Sequence, residues 1–389
     1  MKKHQLAAMV LSALSAGFLI SCAKTNDTQT NEETSTSSQE GDTTTSVENA
    51  VIETTTAQDA SATRPEAVTL QPEALQSYLQ HVVDQQIIPA YAQATKQSQA
   101  LHKIATEQCQ QAPLQGDKLQ QLREQWLLLA QAWATAEMIN FGPATDSMTD
   151  LYINYYPDER GLVHQGVIDL IAANPKLQED ALLHESAIVQ GIPGLEEVLY
   201  ANDTLDAAQC NYIIGASAAL TTRLKAIEDN WRDNGTQLLN AGSDADTKAG
   251  LNRWINSLLS LVETTKSTAL DKPLGLTGSK KGHLPAAAAG QSRAIMTAKV
   301  AALNTALTDP VLTAMLAQQE QNNPVGEELS TELSKTTTLL AQMPENIADA
   351  DKATQQQLYD DLTKITQLIK RQLIPTLGIQ VGFNSTDGD

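Results

Sequence analysis

Apolar residues recur at steps of three and four along most of the chain after residue 70, which is the spacing of amphipathic helices. The first stripe consists of Leu75, Leu79, Val82 and Val83. Pro89 interrupts this pattern, and a kink or break is predicted there because proline lacks the N–H that helix hydrogen bonding needs. The next helix is predicted over residues 117–140, with Trp126, Trp133 and Glu137 on one face.

Further stripes of the same spacing follow, and no segment alternates convincingly between apolar and polar residues. Their apolar positions include Tyr212 and Leu220, Trp254 and Leu258, Ile295 and Leu303, Leu329 and Leu340, and Leu358 and Leu368. Only 4% of the residues are aromatic, so alanine and leucine must fill most of the core. That composition favours closely packed helices, and the pattern predicts an all-α protein.

The first residues have the layout of an export signal. Lys2 and Lys3 precede an apolar run that ends at Ile20, too short to span a bilayer comfortably. Ser21 and Cys22 then resemble the lipobox of bacterial lipoproteins, in which cleavage before the cysteine leaves that cysteine to carry a lipid. A plain secretory signal is the alternative. The sequence thus predicts a signal peptide over 1–21 and lipidation of Cys22.

Residues 22–69 are rich in Ser, Thr, Asn, Gln and acidic residues, with almost nothing that could be buried. Chain entropy then outweighs any packing, so this segment is predicted to be a disordered tether behind the anchor. The whole chain has 46 acidic and 26 basic residues and a net charge of -20. Such a surface repels phosphate backbones, which makes nucleic acid a poor partner.

Cys109 and Cys210 are the two cysteines that remain once Cys22 is assigned to the lipid. Exported proteins fold in an oxidising compartment, so a disulfide between them is expected. A pair of buried thiols is the alternative.

Common catalytic motifs are missing from the sequence, including HExxH, the P-loop, GxSxG and CxxC. The histidines after the signal share no i, i+3 or i, i+4 helix face, which argues against a zinc site built from local histidines. They are His81, His102, His164, His184 and His283. One stretch, GIPGLEEVLY at residues 191–200, instead places Glu196 and Glu197 side by side in an apolar helix start.

The closing residues, GFNSTDGD at 382–389, resemble the end of imelysin-like proteins, the family related to M75 peptidases. The similarity extends over about residues 70–389. It is carried by Ile88-Pro89-Ala90-Tyr91, Cys109, the paired Trp126 and Trp133, Tyr155-Tyr156-Pro157-Asp158, Gln209-Cys210-Asn211-Tyr212 and Gly290-Gln291-Ser292-Arg293. The family's GxHxxE motif maps onto Gly191 to Glu196, where Pro193 replaces the histidine.

The resemblance implies two packed four-helix-bundle-like domains, with boundaries expected at 70–203 and 204–389, and a site near their interface. The predicted site residues are Gly191, Pro193, Glu196, Asp158, Ser292, Arg293 and Asn384. Glu197 lies about 100° further round the helix than Glu196, so we expect it to face solvent. An arginine is expected to neutralise Glu196, because an unpaired buried carboxylate is costly.

The resemblance also implies an envelope protein linked to iron acquisition. The first hypothesis is a non-enzymatic lipoprotein, anchored in the outer membrane and facing the periplasm, that binds a small ligand or an iron-uptake protein. The alternative is an M75-type metallopeptidase, with Glu196 as the motif's only metal candidate and His164 or His184 supplying a ligand from elsewhere. A third hypothesis is direct binding of iron or another metal ion by surface carboxylates. No resident cofactor is predicted with any residue set.

Overall fold

The computed structural model describes residues 67, 69–240, 247–317 and 324–382. Helices dominate these ranges, as the apolar spacing predicts, and the all-α prediction is confirmed. The predicted signal peptide, Cys22, nearly all of the tether and Asn384 lie outside the described residues. Within the described ranges, no helix combines the length and the apolar character needed to cross a bilayer.

The first half contains α1 (Pro72–Val82), α2 (Ile88–Cys109), α3 (Asp117–Ala136), α4 (Thr149–Ile153), α5 (Leu162–Ala173) and α6 (Gly191–Ala201). The second half contains α7 (Ala207–Asn240), α8 (Thr247–Lys266), α9 (Lys272–Leu274), α10 (Ser292–Leu307), α11 (Pro310–Leu316), α12 (Val325–Gln342), α13 (Lys352–Leu368) and α14 (Ile374–Thr376). Two short strands, β1 (Leu114–Gln115) and β2 (Thr204–Leu205), pair antiparallel.

Three prolines widen the helices that precede them. Wide π-helical turns at Val83–Ile87, Ser267–Asp271 and Ile369–Leu373 each end two residues before a proline. Those prolines are Pro89, Pro273 and Pro375. A proline has no N–H and its ring collides with the carbonyl four residues earlier, so the backbone accommodates it by opening one turn. At Pro89 the helix therefore continues from α1 into α2 through a wide turn and does not break.

The long helices pack in two groups. In the first group α2 packs against α3 and α7, and α6 packs against α3 and α7. In the second group α13 packs against α8 and α12, while α10 packs against α8 and α12. Contacts between α3 and α10 join the two groups. Fully buried leucines and three of the tryptophans, Trp126, Trp231 and Trp254, fill the core.

The domain boundary expected at 203/204 stays a prediction, and the packing across it is extensive. The helix that follows it, α7, packs most extensively against α2 of the first half. The predicted first domain would therefore lack one of the helices that bury its core. The cause is that α7 has the same apolar spacing as every other helix, and periodicity does not say which neighbour a stripe will meet.

Cys109 at the end of α2 and Cys210 in the first turns of α7 form a disulfide, with Cα atoms 5.4 Å apart. Strand β1 follows Cys109 and strand β2 precedes Cys210. Their pairing joins the same two chain segments through Leu114 and Leu205. A covalent link and a strand pair thus hold one end of the first helix group together.

Removing this disulfide should weaken the fold strongly. The bridge closes a sequence separation of 101 residues, and a loop of about that length is worth on the order of 4–5 kcal/mol in the chain-entropy description. A Cys109→Ala/Cys210→Ala double variant should therefore unfold at much lower urea concentration than the oxidised wild-type protein, and reduction of the wild type should reproduce the effect. Equal urea midpoints for the three samples would contradict a stabilising bridge.

Candidate functional site

Helix α6 carries the GIPGLE segment, and close packing explains its first glycine. Gly191 has φ +71°, and a Cβ built there would lie 2.3 Å from the backbone oxygen of Ile153. Only glycine satisfies both the left-handed conformation and this approach. The carbonyl of Ile192 then accepts a hydrogen bond of 3.0 Å from the indole N–H of Trp126 on α3. The start of α6 is thus locked against two neighbouring elements.

A narrow cleft, with a cavity volume of about 40 Å³, opens between the two helix groups. Its walls come from α3, α6 and α10 and from residues 275–291, which we call the 275–291 segment. Apolar and aromatic side chains form most of the lining, among them Trp126, Trp133, Ile192, Pro193 and Ile295. The polar lining residues are Glu137, Asn154, Tyr156, Glu196, His283 and Lys299.

Of the two carboxylates that line the cleft, Glu196 has fewer charged and polar partners than Glu137. Its side chain is buried, with 9% exposure, and Oε1 accepts a 3.1 Å hydrogen bond from the backbone N–H of Ala289. Among the residues that the structure describes, no cation forms an ion pair with it. Burial raises the pKa of Glu196 to about 7, although the backbone N–H groups of Ala289 and Ala288 pull the pKa down, as does His283 when its ring is protonated. Glu196 can therefore hold or release a proton near neutral pH.

Glu137, just after α3, is by contrast well compensated. Its Oε2 lies 2.5 Å from the buried ammonium of Lys299 on α10. Its Oε1 accepts hydrogen bonds from the indole of Trp133 at 3.0 Å and from the amide of Asn154 at 2.8 Å. This ion pair joins the two helix groups at the cleft wall.

His283 and Tyr156 form one side of the cleft. The Tyr156 hydroxyl donates to the His283 carbonyl at 2.8 Å, and the two rings meet edge to face with centroids 5.5 Å apart. Nδ1 of His283 lies 2.9 Å from the carbonyl of Leu284. Since a carbonyl can only accept, Nδ1 carries the proton of this bond, and Nε2 of the neutral ring presents a lone pair.

The neighbouring acid, Glu197, points elsewhere. Its carboxylate lies 2.9 Å from Nδ1 of His164, with 31% of the Glu197 side chain exposed. Adjacent helix positions are separated by about 100°, so only one of the two acids reaches the cleft. His164 is engaged there, and His184 belongs to a separate helical turn, Ala181–His184. Neither of the histidines suggested as substitute ligands lines the cleft.

Among the predicted site residues that the structure describes, Gly191, Asp158, Ser292 and Arg293 do not line the cleft either. Asp158 is buried and accepts a 2.8 Å hydrogen bond from the backbone N–H of Val163, so it holds the start of α5. Ser292 accepts from the N–H of Ile347 at 2.9 Å, and Arg293 donates to the carbonyl of Met343 at 2.6 Å. These two residues fix α10 to the segment after α12. The arginine expected to neutralise Glu196 is therefore not Arg293.

The sequence alone did not single out three members of the cleft, namely Glu137, Lys299 and His283. Glu137 and Lys299 each interrupt an apolar helix stripe, since Lys299 stands four residues after Ile295. A charge inside a buried stripe usually needs a partner, and that signal could have paired them. His283 lies in an irregular segment, where no periodicity predicts its neighbours.

Substitution of Gly191 should separate backbone strain from steric collision. Gly161 has a similar φ of +66°, but a Cβ there would meet nothing within 4 Å. Gly161→Ala should cost about 1–2 kcal/mol for the left-handed conformation. Gly191→Ala should cost about 1–3 kcal/mol more because of the collision with Ile153. Urea unfolding of both variants measures this, and equal losses would show that the close approach does not matter.

Glu196 should make stability depend on pH. Its folded pKa of about 7 exceeds the ordinary value of 4.5. Between these values the folded state keeps a proton that the unfolded chain has released, so the free energy of unfolding falls as pH rises. The loss should approach about 3 kcal/mol above pH ~8.

Glu196→Gln has no proton to lose and keeps an oxygen for the Ala289 N–H. Its unfolding free energy relative to wild type should therefore rise between pH ~4.5 and ~8 by about 3 kcal/mol, measured in urea. Glu197→Gln is the matched control and should follow the wild-type profile. Parallel profiles for wild type and Glu196→Gln would rule out the raised pKa.

Comparison with known proteins places these features in a family. The family model described as imelysin (peptidase M75) matches residues 87–369. The crystal structure of an imelysin-like protein from Psychrobacter arcticum 273-4 is 65% identical, with a TM-score of 0.80 over 82% of this chain and 99% of that chain. A comparison with curated proteins finds no significant match.

A second solved structure shares the fold at low identity. It is a putative iron-regulated protein A precursor from Parabacteroides distasonis ATCC 8503, 12% identical, with a TM-score of 0.61 over 78% of this chain and 97% of that chain. The family model spans more than half of the sequence, and the Psychrobacter relative aligns over nearly its entire length. This chain therefore belongs to the imelysin family.

Proposed function

We propose that this imelysin-family chain is a non-enzymatic envelope lipoprotein that binds a small ligand or a partner group in the cleft at Glu196, as a component of iron uptake. The observation that carries this proposal is the buried carboxylate of Glu196, which lines the cleft with no cation paired to it among the described residues. An uncompensated buried carboxylate opposes folding. A ligand that satisfies it would recover that cost on binding.

The envelope location is part of the proposal and rests on sequence. The positive residues, apolar run and Ser21-Cys22 at the start of the chain support export and lipidation of Cys22. The rich supply of small polar residues between 22 and 69 supports a spacer that lets the folded part reach away from an outer-membrane anchor. Ala23 after the cysteine supports outer-membrane sorting over inner-membrane retention.

The link to iron uptake draws on family membership and on the Parabacteroides relative, which is described as a putative iron-regulated protein A precursor. That relative shares only the fold at 12% identity. The cleft supports a binding role within such a system, because concave, largely apolar sites with a few polar groups are typical of small-ligand binding.

A metallopeptidase is the second candidate, and one observation favours it. His283 comes from a distant segment and lines the same cleft as Glu196, so an imidazole is present although Pro193 replaces the motif histidine. Catalytic zinc commonly has three protein ligands. Among the described residues, no group of three His, Cys, Asp or Glu side chains could hold a metal ion. The donor set therefore does not fit a catalytic metal, and we assign no peptidase step.

Iron accumulation in cells tests the proposal. A strain carrying Glu196→Gln should accumulate less radiolabelled iron under iron limitation than a strain carrying the wild-type protein, because the variant loses the carboxylate that meets the ligand. Glu197→Gln changes the adjacent acid, which pairs with His164 outside the cleft, and should accumulate iron as wild type does. Immunoblotting of membrane fractions controls for protein level.

Unchanged iron accumulation in the Glu196→Gln strain would refute the proposed role of the cleft. Digestion of an unfolded protein by the purified wild-type chain, abolished by a chelator, would favour the peptidase candidate instead.

A further inference from the structure

The hydrogen-bond donors around the cleft are already used within the protein. The indole N–H of Trp126 donates to the Ile192 carbonyl, and that of Trp133 donates to Glu137. The Tyr156 hydroxyl donates to the His283 carbonyl, and the Asn154 amide donates to Glu137. The single N–H of each indole and the hydroxyl proton of Tyr156 are therefore unavailable to a ligand, and the Asn154 amide keeps only its second N–H.

Lys299, the one lysine or arginine among the described lining residues, is also paired within the protein. The ammonium of Lys299 is buried and lies 2.5 Å from Glu137. Drawing it toward an anionic ligand would leave Glu137 without its ion-pair partner, which is costly for a charge in this environment. An anionic group would also approach the carboxylate of Glu196. The cleft therefore disfavours anions.

Most of the unused hydrogen-bonding capacity that faces the cleft belongs to acceptors. Glu196 lines the cleft, and its Oε1 accepts a hydrogen bond from the backbone N–H of Ala289, with the Ala288 N–H also acting on the carboxylate. His283 is exposed and lines the same cleft, and Nε2 of its neutral ring presents a lone pair because Nδ1 faces the Leu284 carbonyl. Two acceptors, one of them able to carry a negative charge, suit a group with several N–H donors and a positive charge.

We infer that the cleft recognises a small organic cation, a primary ammonium group joined to an apolar body, with the ammonium at Glu196 and His283 and the body against the aromatic wall. This inference rests on the proposed ligand-binding function of the cleft and specifies its ligand class. The apolar body is implied by the tryptophan, isoleucine and proline side chains that form the rest of the lining. Tryptophan rings also attract cations through their faces.

A bare metal ion fits these surroundings less well. Glu196 and His283 supply one carboxylate and one imidazole, and the described residues offer no group of three ligating side chains. The remaining wall is apolar and cannot replace the hydration shell of a metal ion. An ammonium needs only a few acceptors and gains from burying its attached hydrocarbon.

Calorimetric titration with three probes of one shape tests the inference: phenethylammonium, the neutral 2-phenylethanol and the anionic 3-phenylpropanoate, at pH ~8 in a buffer free of amines. Phenethylammonium should bind wild-type protein at least about tenfold more tightly than either other probe, since a charge-assisted hydrogen bond is worth about that factor or more. Glu196→Gln should weaken phenethylammonium binding at least about tenfold. Glu197→Gln should leave it within about twofold, because Glu197 pairs with His164 outside the cleft.

Several results would overturn the ligand class. These are binding of the alcohol or the acid at least as tightly as the ammonium, no binding of the ammonium, or equal binding by wild type and a folded Glu196→Gln. Tight binding of zinc or iron that displaces phenethylammonium would also overturn it in favour of a metal. If Glu196→Gln does not fold by circular dichroism, the three probes on the wild-type protein still decide.

The two proposals fail in different ways. Loss of iron accumulation in the Glu196→Gln strain together with any of these contrary titrations would keep the cleft as the functional site and reject the organic cation as its ligand. Normal iron accumulation with selective ammonium binding would reject the link to iron and keep the ligand class.

Discussion

The burial of the Glu196 carboxylate beside the junction of two helix groups is the constraint on which the functional interpretation depends. The carboxylate reaches the cleft because Gly191 brings the start of α6 against the Ile153 carbonyl, closer than any side chain would allow. Ala289 supplies a backbone N–H from the 275–291 segment, but no described cation is paired with the acid. A carboxylate with this little compensation resists ionisation while no cation is near it. A cation that enters the cleft would favour its ionised form.

Two acids in one cleft thus have different roles because their surroundings differ. Glu137 is held by Lys299, Trp133 and Asn154, and its ion pair with Lys299 joins the end of α3 to α10. Glu196 meets the backbone N–H groups of Ala289 and Ala288, and burial raises its pKa. Glu137 therefore stabilises the walls of the cleft, and Glu196 is the acid whose carboxylate can gain or lose a proton near neutral pH. Replacement of the motif histidine by Pro193 leaves His283 as the imidazole in the cleft.

Helical spacing alone was sufficient to predict the all-α class, the tryptophan-bearing face of α3 and the start of α6 near Gly191. It also separated Glu196 from Glu197 by their angle around the helix. It could not show that α7 packs on α2, since one apolar stripe looks like another. The placement of His283 depends on an irregular segment, and the use of Arg293 and Ser292 depends on carbonyl and N–H groups near residues 343–347. Every residue has a backbone carbonyl, and nearly every residue has a backbone N–H. The sequence therefore does not show which of these groups a side chain will contact.

The most direct test of the central claim is a carbon-13 NMR titration of the Glu196 side-chain carboxyl, assigned by its disappearance in Glu196→Gln. The account predicts a titration midpoint of about 7, caused by burial. It also predicts that phenethylammonium lowers this midpoint, because a bound cation favours the ionised form. A midpoint at the ordinary value of 4.5, unchanged by the amine, would contradict the account.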